Sequence, residues 1–461
     1  MTRPLPVRSA ASRGRPARWA ARFGRASALV ALAAILSPLA ALAAGDQGLT
    51  GGQAISNTGQ VGFANSIVNQ YPIMQEAGAG WVRIEFRLGD CFSNWTTAST
   101  LSACQAQVGS KTALDLYDEV VSSAQSHNLR VLALVDYESW KGVQSDWTAS
   151  NAENTGGSGD NAYIRSFANN AAGVLANHFK GRITAWEIWN EPNAWTSHPS
   201  PTVYQGSSYL YPSNYAWMLS RSQSAIKNAD PNNIVISGGL LGHDIGGVTA
   251  NVAANGTVTQ VTKHGNRPED HPSQPGGRPD QPGTAPGGAT PASSPQGAAA
   301  TVSCPKGSLP SGADYLCAVY DMGIRKARWK SGAYPLDQIG QHLYIDQGGA
   351  TSADKIGAYL QEIRNAYVAY EGASTPKQTH VTEVGWQSTG SMTEALQASN
   401  LTTAFGKFKT TAYVGRAYWH SVQDISYAGL FFGLQTTGDE KDNYTGTHKP
   451  SFGAYQTAAA Y

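Results

Sequence analysis

The chain has 461 residues, 33 Lys+Arg against 32 Asp+Glu, a formal charge of +1, and four cysteines. Seven arginines (Arg3, Arg8, Arg13, Arg15, Arg18, Arg22, Arg25) fall in a first segment of 43 residues that holds no acidic residue, and without them the charge drops from +1 to −6. A mildly acidic chain of this kind has no electrostatic reason to bind nucleic acid or anionic lipid, so neither is expected as a partner.

The arginine-rich start runs into an apolar stretch from Ala28 to Leu42, and Ala41-Leu42-Ala43 has the small-x-small form of a signal-peptidase site. Pro38 interrupts the stretch and no stop-transfer segment follows, which favours a removed export signal (residues 1–43) over a membrane anchor. Export to the periplasm or the medium is therefore expected. Cys91 and Cys104 form one local pair and Cys304 and Cys317 a second, with twelve residues between the members of each. In an exported chain two local disulfides are the simplest pairing of the three possible. Zinc is the alternative, disfavoured because no C-x-x-C occurs.

From Leu49 to Phe63 the chain is glycine-rich, with a first strand expected near Val61. A helix is expected from Ser66 to Gln75, then a strand from Trp81 to Arg87. A long loop carrying Cys91, Trp95 and Cys104 leads to a helix over Thr112–His127 and an apolar strand over Arg130–Tyr137. Ile164, Phe167, Ala171, Val174 and His178 mark a helix over Ala162–Phe179. The strand at Ile183 ends in Asn190-Glu191-Pro192-Asn193. A helix over Ser213–Lys227 and a strand over Asn233–Leu241 follow. After a helix near Tyr315, strands are expected over Asp337–Ile345, Gln378–Gly385 and Gly415–His420. The helices among and after them centre on Ile356–Tyr370, Ala395–Phe408 and Phe452–Ala460.

Seven or eight apolar strands alternating with helices imply a parallel sheet covered on both faces. The fold class expected is α/β, and at this length a closed (β/α)8 TIM barrel occupying 44–461. An open doubly wound sheet is the alternative, but no G-x-G-x-x-G follows a strand and no P-loop is present. One stretch breaks the rhythm. Asn266 to Ala300 holds eight prolines and six glycines and no aromatic, Val, Ile, Leu or Met. It cannot bury enough apolar surface to offset its ordering entropy, so a disordered loop insertion at about 251–303 is expected.

In such a barrel functional groups gather where the strands end. Glu191 stands at one strand tip among Trp186, Trp189 and Trp195, and Glu383 in Thr382-Glu-Val-Gly-Trp386 stands at another three strands on. Taken alone, Glu191 has a second explanation, as a cap of the next helix or a partner for a barrel arginine. The two together supply what glycosidic cleavage needs: one carboxyl to protonate the leaving oxygen and another to attack or to activate water. No H-E-x-x-H, EF-hand loop or histidine cluster suggests a metal, and no G-x-S-x-G a serine hydrolase. No cofactor is called for.

With Trp189-Asn-Glu-Pro-Asn193 and Thr382-Glu-Val-Gly-Trp386 in this order and spacing, the chain resembles the clan A retaining glycoside hydrolases. The likeness is to the cellulase-like family 5 and the xylosidase-like family 39, and it spans most of the chain through strand order. The resemblance implies Glu191 as acid/base on strand four and Glu383 as nucleophile on strand seven. It implies Asn190 as ligand of the sugar 2-hydroxyl, His342 and Tyr344 beside the nucleophile on strand six, and Arg83 on strand two holding the nucleophile ionised. It also implies Trp419 on strand eight as the floor of the sugar subsite. Trp386, Tyr137, Trp140 and Trp195 are candidates to extend the stacking surface. Asp136 and Glu138 are candidates for sugar hydroxyls, or are solvent-exposed. The expected activity is secreted retaining hydrolysis of β-glycosidic bonds in a polysaccharide or oligosaccharide by a monomer. The alternatives are a transglycosylase using the same residues and an inactive carbohydrate-binding barrel.

Overall fold

The structure, a computed structural model, describes residues 46–51, 59–88, 95–96, 112–197, 203–205, 208–241, 248–252, 258–263, 312–426, 429–436 and 446–460. Residues Ala43–Tyr461 form one compact unit, and the expected export signal lies outside the described residues. Strand and helix alternate eight times: β1 (Gly48–Thr50), α1 (Gly59–Glu76), β2 (Trp81–Glu85), α2 (Ala113–Ser126), β3 (Arg130–Val135) and α3 open the series. Helix α3 starts as Ala162–Ser166, passes through a π-helical Phe167–Ala172 and ends as Gly173–His178. Then come β4 (Ala185–Ile188), α4 (Pro212–Ala229), β5 (Ile234–Ser237), α5 (Gly312–Arg325) and β6 (Ile339–Leu343). The series closes with α6 (Ala353–Glu371), β7 (Thr379–Val384), α7 (Glu394–Thr410), β8 (Val414–Trp419) and α8 (Pro450–Ala458).

All neighbouring barrel strands are parallel, and β1 pairs with both β2 and β8. The ring shuts between β5 and β6, where Ile236 bridges Gln338 and the short continuation Leu240–Leu241 pairs with Gln341 and His342. The expected (β/α)8 barrel is the fold observed. Strand five is broken at Gly238-Gly239 because there is no room for side chains: a Cβ at Gly238 would meet the Trp189 carbonyl oxygen at 2.2 Å, and one at Gly239 the His342 ring at 2.0 Å.

Alternate residues of each strand face opposite sides. Those facing inward build the barrel in layers. Asp46, Arg130, Arg416 and His380 lie toward the strand starts, and Trp81, Leu132, Ala185, Ile236 and Tyr418 pack as a separate apolar plug at mid-height. Residues facing outward, such as Val82, Ile84, Val131, Trp186, Ile188 and Val381, join the helices in the main core. The plug separates these strand-start charges from the polar groups at the strand ends, the face on which barrels of this kind build their sites.

Three expectations change. The first strand is Gly48–Thr50, and Val61 lies in α1, which starts at Gly59 rather than Ser66. The insertion does not begin as irregular chain: Val248–Val252 and Val258–Lys263 pair as an antiparallel ribbon whose β-branched residues suit strands. The proline- and glycine-rich remainder lies outside the described residues, as do Cys91, Cys104 and Cys304, while Cys317 is buried on α5. A second small ribbon joins Trp195–Ser197 to Val203–Gln205. Among the described residues no helix is long and apolar enough to cross a membrane.

Candidate active site

Strand β2 reads Trp81-Val-Arg-Ile-Glu85, so its inward residues are Trp81 in the plug, Arg83 one layer higher and Glu85 at the rim. On β4 the same alternation sends Ala185 and Glu187 inward and Trp186 and Ile188 outward. The strand ends with two left-handed residues, Trp189 at φ +74° and Glu191 at φ +49°. For non-glycine residues such backbone is strained by of order 1–3 kcal/mol each. The surroundings hold it. The Trp189 indole N–H donates to the Ser208 carbonyl at 2.6 Å within a nest formed by Tyr137, Trp147, Tyr163 and Phe167, and Ser208 Oγ donates back to the Glu191 carbonyl at 3.1 Å. Asn193 lies in the turn, and its side chain pairs with the backbone of Leu241, accepting from Leu241 N–H at 2.9 Å and donating to Leu241 C=O at 3.1 Å. The turn aims Asn190 and Glu191 at the barrel mouth.

Strand β7 reaches the same place by a different device. Its pairing with β6 steps from Gln341↔Val381 to His342↔Glu383, so Thr382 is one extra residue, and the register with β8 slips over the same span. A bulge of this kind re-aims a side chain. His380 and Glu383 both point inward, and Val384 returns to the outer core.

Glu383 is 4% exposed and fully engaged. Arg83 Nη1 donates to its Oε1 at 2.5 Å and the Tyr344 hydroxyl to its Oε2 at 2.5 Å. His342 Nδ1 and His420 Nδ1 stand 3.7 Å and 3.6 Å from Oε2. Arg83 also donates through Nε to Glu187 Oε2 at 2.5 Å and through Nη2 to Asn190 Oδ1 at 2.9 Å. Glu191 is half-buried and its Oε1 meets His342 Nδ1 at 2.9 Å. It neither caps α4, which starts after Tyr211, nor pairs with Arg83.

Burial alone pushes the Glu383 carboxyl up, but His342, the Arg83 guanidinium, His420 and the Tyr344 hydroxyl together hold it far below the usual carboxylate range. It is a stable anion. Burial lowers His342, yet Glu383 and the hydrogen bond to Glu191 outweigh it and raise the imidazole above its ordinary value. Tyr344 is pushed well above its usual range by burial and by Glu383, so it stays a donor.

Arg83, Asn190, Glu191, His342, Tyr344 and Glu383 thus converge as the sequence suggested. Three of the aromatic candidates do not. Trp419 and Trp386 are each 0% exposed, with ring centroids 6.0 Å apart in the outer core, and their indole N–H groups donate to the carbonyls of Phe432 and Ile345. Neither offers a face to a sugar. Strand alternation explains it: Tyr418 points inward, so Trp419 points out and His420 inward. His420 meets Tyr344 and Phe432 edge-on beside Glu383. Trp140 is also core, donating to Ser166 Oγ, while Tyr137 is half-buried at the mouth. Asp136 is fully buried rather than exposed. Burial and the neighbouring carboxylates of Glu85 and Glu138 push it well above the usual range and favour its protonated form. The side chain of Trp195 lies outside the described residues.

Glu191, His342 and Glu383 offer ligand atoms within 4.8 Å of one another, the spacing of a three-ligand cation site. The Arg83 guanidinium already carries a fixed positive charge at 2.5 Å from Glu383, which opposes a cation in that place.

No protein-family model matches the chain and no curated protein does. Solved structures match by fold. A GH5_18 protein from Streptomyces cattleya in complex with GlcNAc aligns at 13% identity and TM-score 0.51, over 90% of this chain and 80% of its own. A variant from the same organism in complex with a Man–GlcNAc disaccharide aligns at 12% and 0.52, over 90% and 79%. A family 39 glycoside hydrolase from Bacteroides cellulosilyticus WH2 aligns at 15% and 0.47, and this chain spans 63% of that structure's length. The chain shares its barrel fold with glycoside hydrolases of clan A.

Proposed function

We propose that the protein is an exported retaining glycoside hydrolase acting on β-linked oligo- or polysaccharides, with Glu383 as nucleophile and Glu191 as acid/base. The observation that carries this reading is the closeness of two carboxyls in unlike surroundings. One carboxylate oxygen of Glu191 lies within 4.8 Å of one of Glu383. A retaining pair stands about 5–5.5 Å apart, whereas an inverting pair needs roughly 6.5–9.5 Å to admit a water. Glu383 is clamped as an anion, while Glu191 is half-buried at the mouth with the His342 imidazole against its Oε1.

In the first step the Glu383 carboxylate attacks the anomeric carbon as the bond to the leaving oxygen breaks and Glu191 gives that oxygen its proton. In the second, Glu191 as carboxylate takes a proton from water, the water oxygen bonds to the anomeric carbon, and Glu383 departs as carboxylate. In this reading Asn190, whose Oδ1 accepts from Arg83 Nη2, binds the sugar 2-hydroxyl. The arginine-rich leader supports export, and an oxidising compartment supports disulfides Cys91–Cys104 and Cys304–Cys317.

The decisive experiment is Glu383→Ala. Turnover should fall by on the order of 10³-fold or more, and azide should restore it while forming a glycosyl azide of the inverted anomer. Full activity in the variant, or rescue giving the retained anomer, rejects the assignment.

A further inference from the structure

Glu187 takes no part in those steps, yet it is fully buried inside the barrel and both of its oxygens are engaged. Oε2 accepts from Arg83 Nε at 2.5 Å, and Oε1 accepts the backbone N–H of Gly239 at 3.0 Å, from the break in β5. The guanidinium is a rigid plane, so fixing its Nε direction fixes where Nη1 and Nη2 point. Those two nitrogens are the ones on Glu383 Oε1 and Asn190 Oδ1. One planar group therefore links β2, β4 and β7, and the contact that sets its plane is Glu187. The charges matter as well. A single positive charge faces two carboxylates, so Glu383 is not neutralised one for one.

We propose that Glu187 is a positioning residue for the nucleophile: acting through Arg83, it orients the guanidinium against Glu383 and Asn190 and divides its charge, keeping Glu383 both aligned and reactive. This rests on the reading of Glu383 as nucleophile. A carboxylate is required at this position because two N–H donors converge on it. In Glu187→Gln the amide NH2 must face either Arg83 Nε–H or Gly239 N–H, and in Glu187→Asp the shorter side chain cannot reach both.

The test is a kinetic cycle of Glu187→Gln, Glu187→Asp, Arg83→Lys and the double variant Arg83→Lys/Glu187→Gln, with Glu383→Ala plus azide alongside. Misplacing a reacting group by about 1 Å costs on the order of 10²-fold, so kcat should fall by roughly that factor in both Glu187 variants, with KM changed less than about threefold. In Glu187→Gln the undivided charge of Arg83 falls on Glu383, so the acidic limb of kcat/KM should move to lower pH. In the Arg83→Lys background Glu187→Gln should cost no more than about threefold further, because its route of action is already broken. Full additivity in that background, or wild-type kcat and acidic limb in the single variants, overturns the proposal. Should Glu187→Gln fail to fold, Glu187→Asp keeps the charge and carries the kcat comparison, alone and in the Arg83→Lys background. Glu187 variants with wild-type kinetics beside an azide-rescued Glu383→Ala sink this inference alone, whereas an active Glu383→Ala sinks the nucleophile assignment and this proposal with it.

Discussion

His342 Nδ1 lies 2.9 Å from Glu191 Oε1, and the other ring nitrogen, Nε2, is buried without a hydrogen-bond partner. The imidazole therefore spends its one hydrogen bond on Glu191, and its pKa is raised by Glu383 and by that bond against the opposing effect of burial. A proton held there stays to a higher pH than on a free imidazole, whose value is about 6.5. The alkaline limb of kcat/KM in the free enzyme should lie above that value and be displaced in His342→Gln. An alkaline limb at the same pH in both proteins would reject the role of His342.

Glu191 and Glu383 should separate by leaving group. An aryl glycoside with a strongly acidic phenol needs no protonation, so Glu191→Ala should form its glycosyl-enzyme at a rate within about tenfold of wild type. The same variant should lose roughly 10²–10⁴-fold on a natural glycan, whose alkoxide leaves badly without an acid. A similar loss on both substrates speaks against Glu191 as the acid.

Trp419 and His420 should exchange the effects that their residue types suggest. Trp419 is enclosed in the outer core, so Trp419→Ala should cost roughly 3–5 kcal/mol of stability while leaving the KM of the surviving folded enzyme near wild type. His420 faces Glu383 at 3.6 Å, so His420→Ala should lower kcat. Urea denaturation with parallel kinetics measures both. A large rise in KM for Trp419→Ala would restore it as a sugar platform.

The convergent set was legible because strand ends and inward alternation are properties of sequence. Glu191, Tyr344 and Glu383 each stand at or beside the end of an apolar run, and Arg83 lies inside the strand Trp81–Glu85, in phase with inward Trp81. Glu187 could have been found by the same alternation, two residues after inward Ala185, but it was hidden inside a strand that reads as apolar. Trp419 was placed by residue type, although the phase set by Tyr418 puts His420 at the mouth. Other features had no local signal. The bulge at Thr382 exists only in the register with neighbouring strands, and strand β1 is three residues long. Gly59–Phe63 suggests glycine-rich chain with a strand near Val61, because glycine weakens helix propensity, yet it forms the start of α1. The ribbon strands Val248–Val252 and Val258–Lys263 did carry a signal, β-branched residues clustered on either side of Asn255-Gly256 in the sequence, which the neighbouring proline-rich composition obscured.

At the opposite end of the barrel, His380 links structure to acid stability. Burial is the main cause that lowers its imidazole to about 3, Arg416 adds to it, and Asp46 opposes. The unfolded chain binds a proton near pH 6.5, so this group contributes its full stability above that pH and loses it progressively as pH falls toward about 3. The loss should reach a few kcal/mol, at about 1.4 kcal/mol for each pH unit between those two values. Its Nδ1 has no hydrogen-bond partner, so His380→Gln removes the titration without breaking a bond on that side. Urea unfolding at pH 7, 5.5 and 4 should show a shallower decline in the variant than in wild type, with the two curves converging or crossing on the acidic side. Parallel curves over that range would mean that other buried groups, and not His380, govern the acid limit.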